Sequence, residues 1–411
     1  MWYDGNNMTF NIAHFSDTHL GYRAQVASMP DGTNIRVQDG YNALKEITHQ
    51  IVTSPIKIDA VVMSGDLFHF SKPTIKDIAI AQHYLREIAK YKIPVYILAG
   101  NHDATDIRSE LAANAVVDDP DKGIYSLFAP YKKYELEPGL VLHSVSHHGL
   151  SLEDTPKIKA SSADINIFTT HGAALDPKNE ELLRCAGSPR EQIIPMDLMT
   201  DDIFSAKLLG HYHSRYVVGG SKLNTVYAGS TVRRGFSDEP GERGWWLHEI
   251  EVDGSVTMTP KNISQRPQYD LKSIEGEDLS AGDIMELIKN NLEGTDESDE
   301  APIIRQKVFN VPRSVRLGMD RDKIKEMSKH ALQWQLEFSM NATTKKEKTD
   351  NVEEKKNLSF GQKVDIKNQF DDWVKEFKNT IPTEFRDIAI KGAEEYLKNA
   401  MEKGVEKNVH N

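Results

Sequence analysis

Five short apolar runs each break off at residues able to bind a metal: Asp17-Thr18-His19, Gly65-Asp66, Gly100-Asn101-His102-Asp103, His171-Gly172 and Gly210-His211-Tyr212-His213. From them come three carboxylate or amide groups (Asp17, Asp66, Asn101) and four histidines (His19, His171, His211, His213). Mixed oxygen and imidazole donors suit Mn, Fe or Zn better than an all-thiolate or all-oxygen set would. Two cations held about 4 Å apart are a recurrent device for hydrolysing phosphate esters, so the pattern predicts a two-metal hydrolase. A lone Gly-Asp is a common turn and a lone histidine is usually structural. The five together, in order and each behind a run able to be a strand, are poorly explained by chance or by core packing.

Side chains two apart in an extended segment point the same way, so Asp17 with His19, and His211 with His213, are expected to converge. Asp66 lies midway through the series and is the expected bridge. One cation would take Asp17, His19, Asp66 and His213, and the other Asp66, Asn101, His171 and His211. His102, beside a ligand, is expected to face the substrate, stabilising phosphorane charge or protonating the departing oxygen. Its alternative role is hydrogen bonding within the ligand shell. Asp103 is expected to orient a histidine. His147-His148 also follows a strand but fills neither shell, so it reads as loop or surface.

These groups need a scaffold that presents strand ends. Phe10 to Phe15, Asp59 to Met63 and Ile93 to Ala99 read as strands, separated by helical patterns at Tyr41, Leu44, Ile47, Ile51 and at Ile75, Ile78, Leu85, Ile88. Strand and helix in alternation imply a layered α/β sheet with sites outside the carboxyl ends of its strands. Leu140 to Val145, Ile165 to Thr169, Ala206 to Leu209, Thr225 to Ala228 and Trp245 to Val252 suggest a second sheet facing the first, with helices outside both. Ser280 with Asp283 resembles a capping box. It starts a helix within a small α+β module over residues 265–341, after a first domain at 1–264. Residues 342–357, rich in Lys, Glu and Thr, read as a linker. Residues 358–411 carry two helical stripes, Ile366, Phe370, Trp373, Val374, Phe377 and then Phe385, Ile388, Ala389, Tyr396, that call for a partner surface.

A single cysteine, Cys185, excludes an intramolecular disulfide and thiolate chemistry. The start has no apolar leader, and no run approaches the roughly 20 apolar residues of a membrane span, so a cytoplasmic protein without membrane contact is expected. The net charge of −12 argues against gripping nucleic acid by bulk electrostatics. Metal cations and local groups such as Arg108, Arg233 and Arg234 can still hold a phosphate backbone near the site.

The motifs resemble those of the calcineurin-like metallophosphoesterases and, more narrowly, the SbcD-type nucleases of DNA double-strand-break repair. The narrower likeness rests on Asp17-Thr18-His19-Leu20-Gly21 with Arg36, Asp39 and Tyr41, on Gly65-Asp66-Leu67-Phe68-His69 with Lys72-Pro73, and on Tyr227-Ala228-Gly229-Ser230-Thr231 with Phe236, Glu239 and Gly244-Trp245. It covers residues 10 to 255 and implies a two-sheet sandwich flanked by helices in four α/β/β/α layers, a DNA-binding capping domain at 265–341 and C-terminal helices. The resemblance further implies two Mn ions, with Mg, Fe or Zn possible, and catalysis by His102 with His69 positioning DNA. The implied activity is 3′ to 5′ double-strand exonuclease and single-strand or hairpin endonuclease. Homodimerisation and an SbcC-type SMC-like ATPase bound through the C-terminal helices complete the expectation. The sequence departs from the family at Ala228, where proline is commoner, and at Trp245-Trp246, where tyrosines are usual. The competing reading is a small-molecule or nucleotide phosphodiesterase.

Overall fold

The computed structural model describes residues 9–24, 28–104, 111–162, 164–174, 192–218, 224–295 and 300–339. The linker and helical stripes expected beyond residue 341 lie outside the described residues, as does Arg108. In chain order the strands of the main body are β1 (Thr9–Phe15), β2 (Ala60–Met63), β3 (Val95–Leu98), β4 (Ile124–Leu127), β5 (Tyr131–Glu137), β6 (Leu140–Val145), β7 (Ile165–His171), β8 (Phe204–Gly210), β9 (Tyr216–Val217), β10 (Thr225–Tyr227), β11 (Gly244–Glu251) and β12 (Val256–Asn262). They form two six-stranded mixed sheets, ordered β12-β11-β1-β2-β3-β4 and β5-β6-β7-β8-β10-β9.

Strand alternation divides the core into layers. Ala13, Phe15, Val61, Met63, Val95 and Ile97 face helices α1 (Ile35–Val52) and α2 (Ile75–Lys90). Their neighbours Phe10, Ile12, Ala60, Val62, Tyr96 and Leu98 interdigitate with Leu140, Leu142, Ile167, Ala206 and Leu208 of the second sheet. Covered on both faces, β2 is apolar throughout, as central parallel strands are. On the second sheet's outer face, Leu150 and Leu198 of the short helices His147–Leu150 and Met196–Thr200 pack with Val145, Phe168 and Leu209. The layers are therefore α/β/β/α.

Two expectations change. β11 belongs to the first sheet, antiparallel to β1 with Ile12 opposite His248. Ile75, expected on the apolar face of α2, is 86% exposed. The first turn of α2 instead turns Asp77 inward, its carboxylate accepting from the Thr74 backbone and the Tyr41 hydroxyl.

Parallel register fixes the rim. Phe15 lies beside Met63, Met63 beside Ile97, and His171 beside Gly210, so the carboxyl ends of β1, β2, β3, β7 and β8 finish level.

A third sheet follows, with β15 (Ile303–Phe309) pairing β13 (Gln268–Asp270), β14 (Ile274–Glu275) and β16 (Gln333–Ser339). The helix Ala281–Leu292 opens with the Ser280/Asp283 capping box and buries Ile284 and Ile288 against Ile304 and Val308. Arg266 grips Asp39 of α1 through two hydrogen bonds of 2.9 Å, and Arg305 stacks on Phe236 at 4.4 Å, tying this module to the main body. No helix among the described residues is long and apolar enough to cross a membrane.

Candidate metal centre

Seven non-glycine residues among those described have positive φ, and four of them are Asp17 (51°), His19 (43°), Asp66 (55°) and His211 (110°). Left-handed backbone at non-glycine residues is costly and is retained chiefly where function demands it. It also corrects the expectation of extended alternation: these side chains converge through tight turns just past the strand ends. Ladder bonds continue through the turns, from Asp17 N to Gly65 O (3.0 Å) and from His19 N to Asp66 O (3.0 Å). The glycines before the ligands have a steric cause. A Cβ at Gly65 would lie 2.2 Å from His171 Nδ1, and one at Gly100 2.1 Å from Asp66 Oδ1.

The expected ligands meet at this rim. Asp66 Oδ2 lies 3.5 Å from His19 Nε2 and 3.3 Å from His171 Nε2. Asn101 Oδ1 lies 2.9 Å from His171 Nε2 and 3.3 Å from His211 Nδ1. Asp17, His19 and His213 bring donor atoms within 4.8 Å of one another, as do Asp17, Asp66 and His171. Donors bound about 2.1 Å from one cation sit roughly 3.0–3.4 Å apart, so this spacing fits cation coordination. Asp17 adds a second sign. Its Oδ2 accepts from the Ser16 hydroxyl and His211 N (3.1 Å), while its buried Oδ1 has no hydrogen-bond partner. An orphaned carboxylate oxygen inside a protein calls for positive charge.

The donor tautomers fit too. His171 Nδ1 donates to Ser64 O (2.8 Å), turning the Nε2 lone pair toward Asp66 and Asn101. Burial opposes a charge on His171, yet the Asp66 and Asp17 carboxylates outweigh it and raise its pKa to about 9. Asp66, although burial works the other way, is held well below the usual carboxylate range by His171, His19 and His102. A proton here answers the same negative charge that a cation would. At the other end, Arg234 Nη2 lies 2.7 Å from His213 Nε2 and Nη1 3.2 Å from His19 Nε2.

His102 touches the cluster in two ways. Its backbone N–H donates to Asp66 Oδ1 (2.9 Å), and its ring Nδ1 donates to His69 O (2.7 Å), leaving Nε2 as the remaining ring nitrogen. His69 stacks on His102 with centroids 5.0 Å apart and brings Nδ1 to 3.4 Å from His19 Nδ1. Burial first, then His102 and Arg234, lower the His69 pKa to about 4.

Asp103 corrects an expectation. It orients no histidine; its buried carboxylate accepts backbone N–H bonds from Leu67 (3.2 Å), Phe68 (3.1 Å) and Gly100 (3.1 Å), locking the Asp66 turn to the Asn101 turn. Burial, then the nearby Asp66 charge, push it up to about 7. An unpaired buried donor costs about 1–3 kcal/mol, so Asp103→Ala is expected to destabilise the fold by about 3–5 kcal/mol, read as a lowered urea midpoint. Asp103→Asn, which keeps an acceptor oxygen, should fall between it and the parent.

The residue that orients a histidine is Asp238, whose Oδ1 lies 3.0 Å from His213 Nδ1 and whose Oδ2 accepts from Arg234 N (2.9 Å). Sequence reasoning missed it, since no spacing links it to His213; its place between Phe236 and Glu239 was the available hint. Arg233 braces this loop, donating to Asp238 O (3.0 Å) and Gln268 O (3.1 Å). It is thus committed internally, unlike the phosphate-holding role expected of it. His147, read as loop or surface, is buried beside His171 at 6.5 Å between centroids, while His148 is exposed.

Residues 10–253 match the calcineurin-like phosphoesterase family. The chain is 24% identical over 355 residues to a DNA double-strand break repair protein Mre11 of Sulfurisphaera tokodaii, covering 82% of each. It is 35% identical over 283 residues to a protein of the same name from Methanocaldococcus jannaschii, covering 67% of this chain and 68% of the relative. A third, from Saccharolobus solfataricus, is 26% identical over 298 residues, 68% of this chain and 71% of the relative.

Proposed function

The chain belongs to the calcineurin-like phosphoesterases and, within them, to the Mre11 type of DNA double-strand break repair protein, and from that membership we propose that its rim cluster hydrolyses phosphodiester bonds at DNA ends. As a member it is a metal-dependent hydrolase, and the clustered Asp and His donors suit a pair of cations. The observation that carries the proposal is Asp66 Oδ2, within 3.5 Å of a histidine from each half of the cluster.

Asp17, His19, Asp66 and His213 would hold one cation and Asp66, Asn101, His171 and His211 the other, with Mn as the working choice among Mn, Mg, Fe and Zn. When bound, such a pair polarises the phosphate and activates water. The chain supplies the rest. His102, fixed through Nδ1, offers Nε2 to protonate the departing sugar oxygen or to balance charge on the phosphorus. Asp238 holds the His213 ring, His69 lines the approach, and Arg234 brings positive charge for the DNA backbone.

Residues 1–264 would be the nuclease domain and 265–341 a DNA-binding cap. In the cap a groove of about 790 Å³ has a floor that includes Trp334 and Phe338 and a rim of Arg316, Arg321, Lys325 and Lys329, which suits contact with phosphates despite the acidic whole. Residues 342–357 would link this body to an ATPase-binding region at 358–411, where an SMC-like ATPase would join a nuclease dimer. The expected activity is 3′ to 5′ degradation of duplex DNA and cutting of single-stranded or hairpin ends.

The test is a 3′-labelled duplex and a hairpin incubated with the protein and Mn. Release of the 3′ label as a mononucleotide, with hairpin opening, is the expected result. Hydrolysis of bis-(p-nitrophenyl) phosphate with both DNAs intact would instead favour a small-molecule phosphodiesterase.

A further inference from the structure

We propose that Phe70 is a positioning residue that stacks on a base next to the scissile phosphate, a reading that rests on the nuclease function above. Four rings run outward from the metal centre. His102 stacks on His69 at 5.0 Å, Tyr22 meets His69 edge-on at 5.1 Å, and Phe70 meets His69 edge-on at 4.6 Å. In this row Phe70 stands exposed, with 53% of its surface open, while the other three are at least partly covered.

Isolated apolar residues on a surface are ordinary. Phe70 differs because of what anchors it. The carbonyl of its chain neighbour His69 accepts the His102 Nδ1 bond (2.7 Å), and the His69 ring reaches His19, 3.4 Å away between Nδ1 atoms. The Phe70 backbone is therefore fixed to the reacting groups, while its ring looks into solvent. The Arg234 guanidinium lies 6.0 Å from the Tyr22 ring and supplies charge for phosphate.

A base hangs one sugar away from its phosphate. With a phosphate at the Asp17/Asp66 cluster, an adjoining base reaches this aromatic wall, and Phe70 is its open face. Stacking on an aromatic ring accepts every base, which is what a sequence-tolerant end-processing enzyme needs. The geometry also explains an exposed phenyl ring where a polar residue would cost nothing in stability.

The experiment uses the full chain and a duplex carrying 2-aminopurine beside the labelled 3′ terminus, with calcium in place of manganese for binding and manganese for turnover. The parent protein quenches the fluorophore. Phe70→Ala abolishes the quench and raises KM for DNA roughly ten- to a hundredfold with kcat changed less than about threefold. Phe70→Trp restores both, and the melting temperatures of all three agree. An unchanged quench and KM in Phe70→Ala, or failure of Phe70→Trp to rescue them, overturns the proposal. A parent protein that hydrolyses bis-(p-nitrophenyl) phosphate yet neither binds nor cuts DNA brings down the nuclease reading itself, a distinct outcome.

Discussion

Asp66→Asn is expected to lower phosphodiester hydrolysis by roughly a thousandfold or more and to leave fewer than two cations bound per chain. The loss follows from the position of Oδ2, 3.5 Å from His19 Nε2 and 3.3 Å from His171 Nε2, where one oxygen serves both halves of the site. Charge stabilisation by cations amounts to several kcal/mol in such reactions, and each 1.36 kcal/mol is tenfold in rate, about a thousandfold in all. Asparagine keeps the volume and can still accept the His102 N–H at the Oδ1 position, so the cation-free variant should still fold, with a melting temperature lowered by the lost attraction to His171 and His19. Equilibrium dialysis against Mn counts the ions directly. Two ions bound by the variant with unchanged affinity would remove Asp66 from the bridging role.

His102→Ala is expected to lower kcat on DNA by about 10²–10⁴-fold while two cations remain bound. The separation is possible because His102 meets Asp66 through its backbone N–H, which alanine retains, whereas the ring is held by the His69 carbonyl. Leaving-group chemistry then divides the two roles of the ring. The p-nitrophenolate of bis-(p-nitrophenyl) phosphate departs without protonation, so a lost proton donor slows DNA cleavage far more than cleavage of this ester. Equal slowing of both assigns the ring to charge stabilisation. Loss of a cation would show instead that His102 belongs to the ligand shell.

Much of this site was readable from residue order because its candidate ligands sit where apolar runs stop. A buried parallel strand is mostly apolar along its length, and its polar groups there are tied up in hydrogen bonds, so its chemistry collects at its end. Asp17, Asp66, Asn101, His171 and His211 all declare themselves in that way, and register brings them level. What lay beyond reading depended on contacts distant in sequence. β11 is apolar enough to be buried, but its composition does not say which sheet it joins. The pairing with β1 spans more than 200 residues. Asp103 has the residue type of a histidine partner, yet three backbone amides of the Asp66 and Asn101 turns reach it first. The aspartate that holds Nδ1 of His213, Asp238, has only its place between Phe236 and Glu239 to mark it in the sequence. The left-handed turns at Asp17, His19, Asp66 and His211 replaced the simple alternation of extended chain, since aspartate and histidine are ordinarily elsewhere in φ.

The rim is stitched from both sheets: Asp17, Asp66 and Asn101 leave the first, His171 and His211 the second, and the Ser64 carbonyl receives the His171 ring across the seam. The cluster therefore draws on both the early and the late half of the chain. A chain halted before residue 171 holds Asp17, Asp66 and Asn101 but lacks His171, His211 and His213, so the cluster is complete only once synthesis has passed His213 and the two sheets have closed.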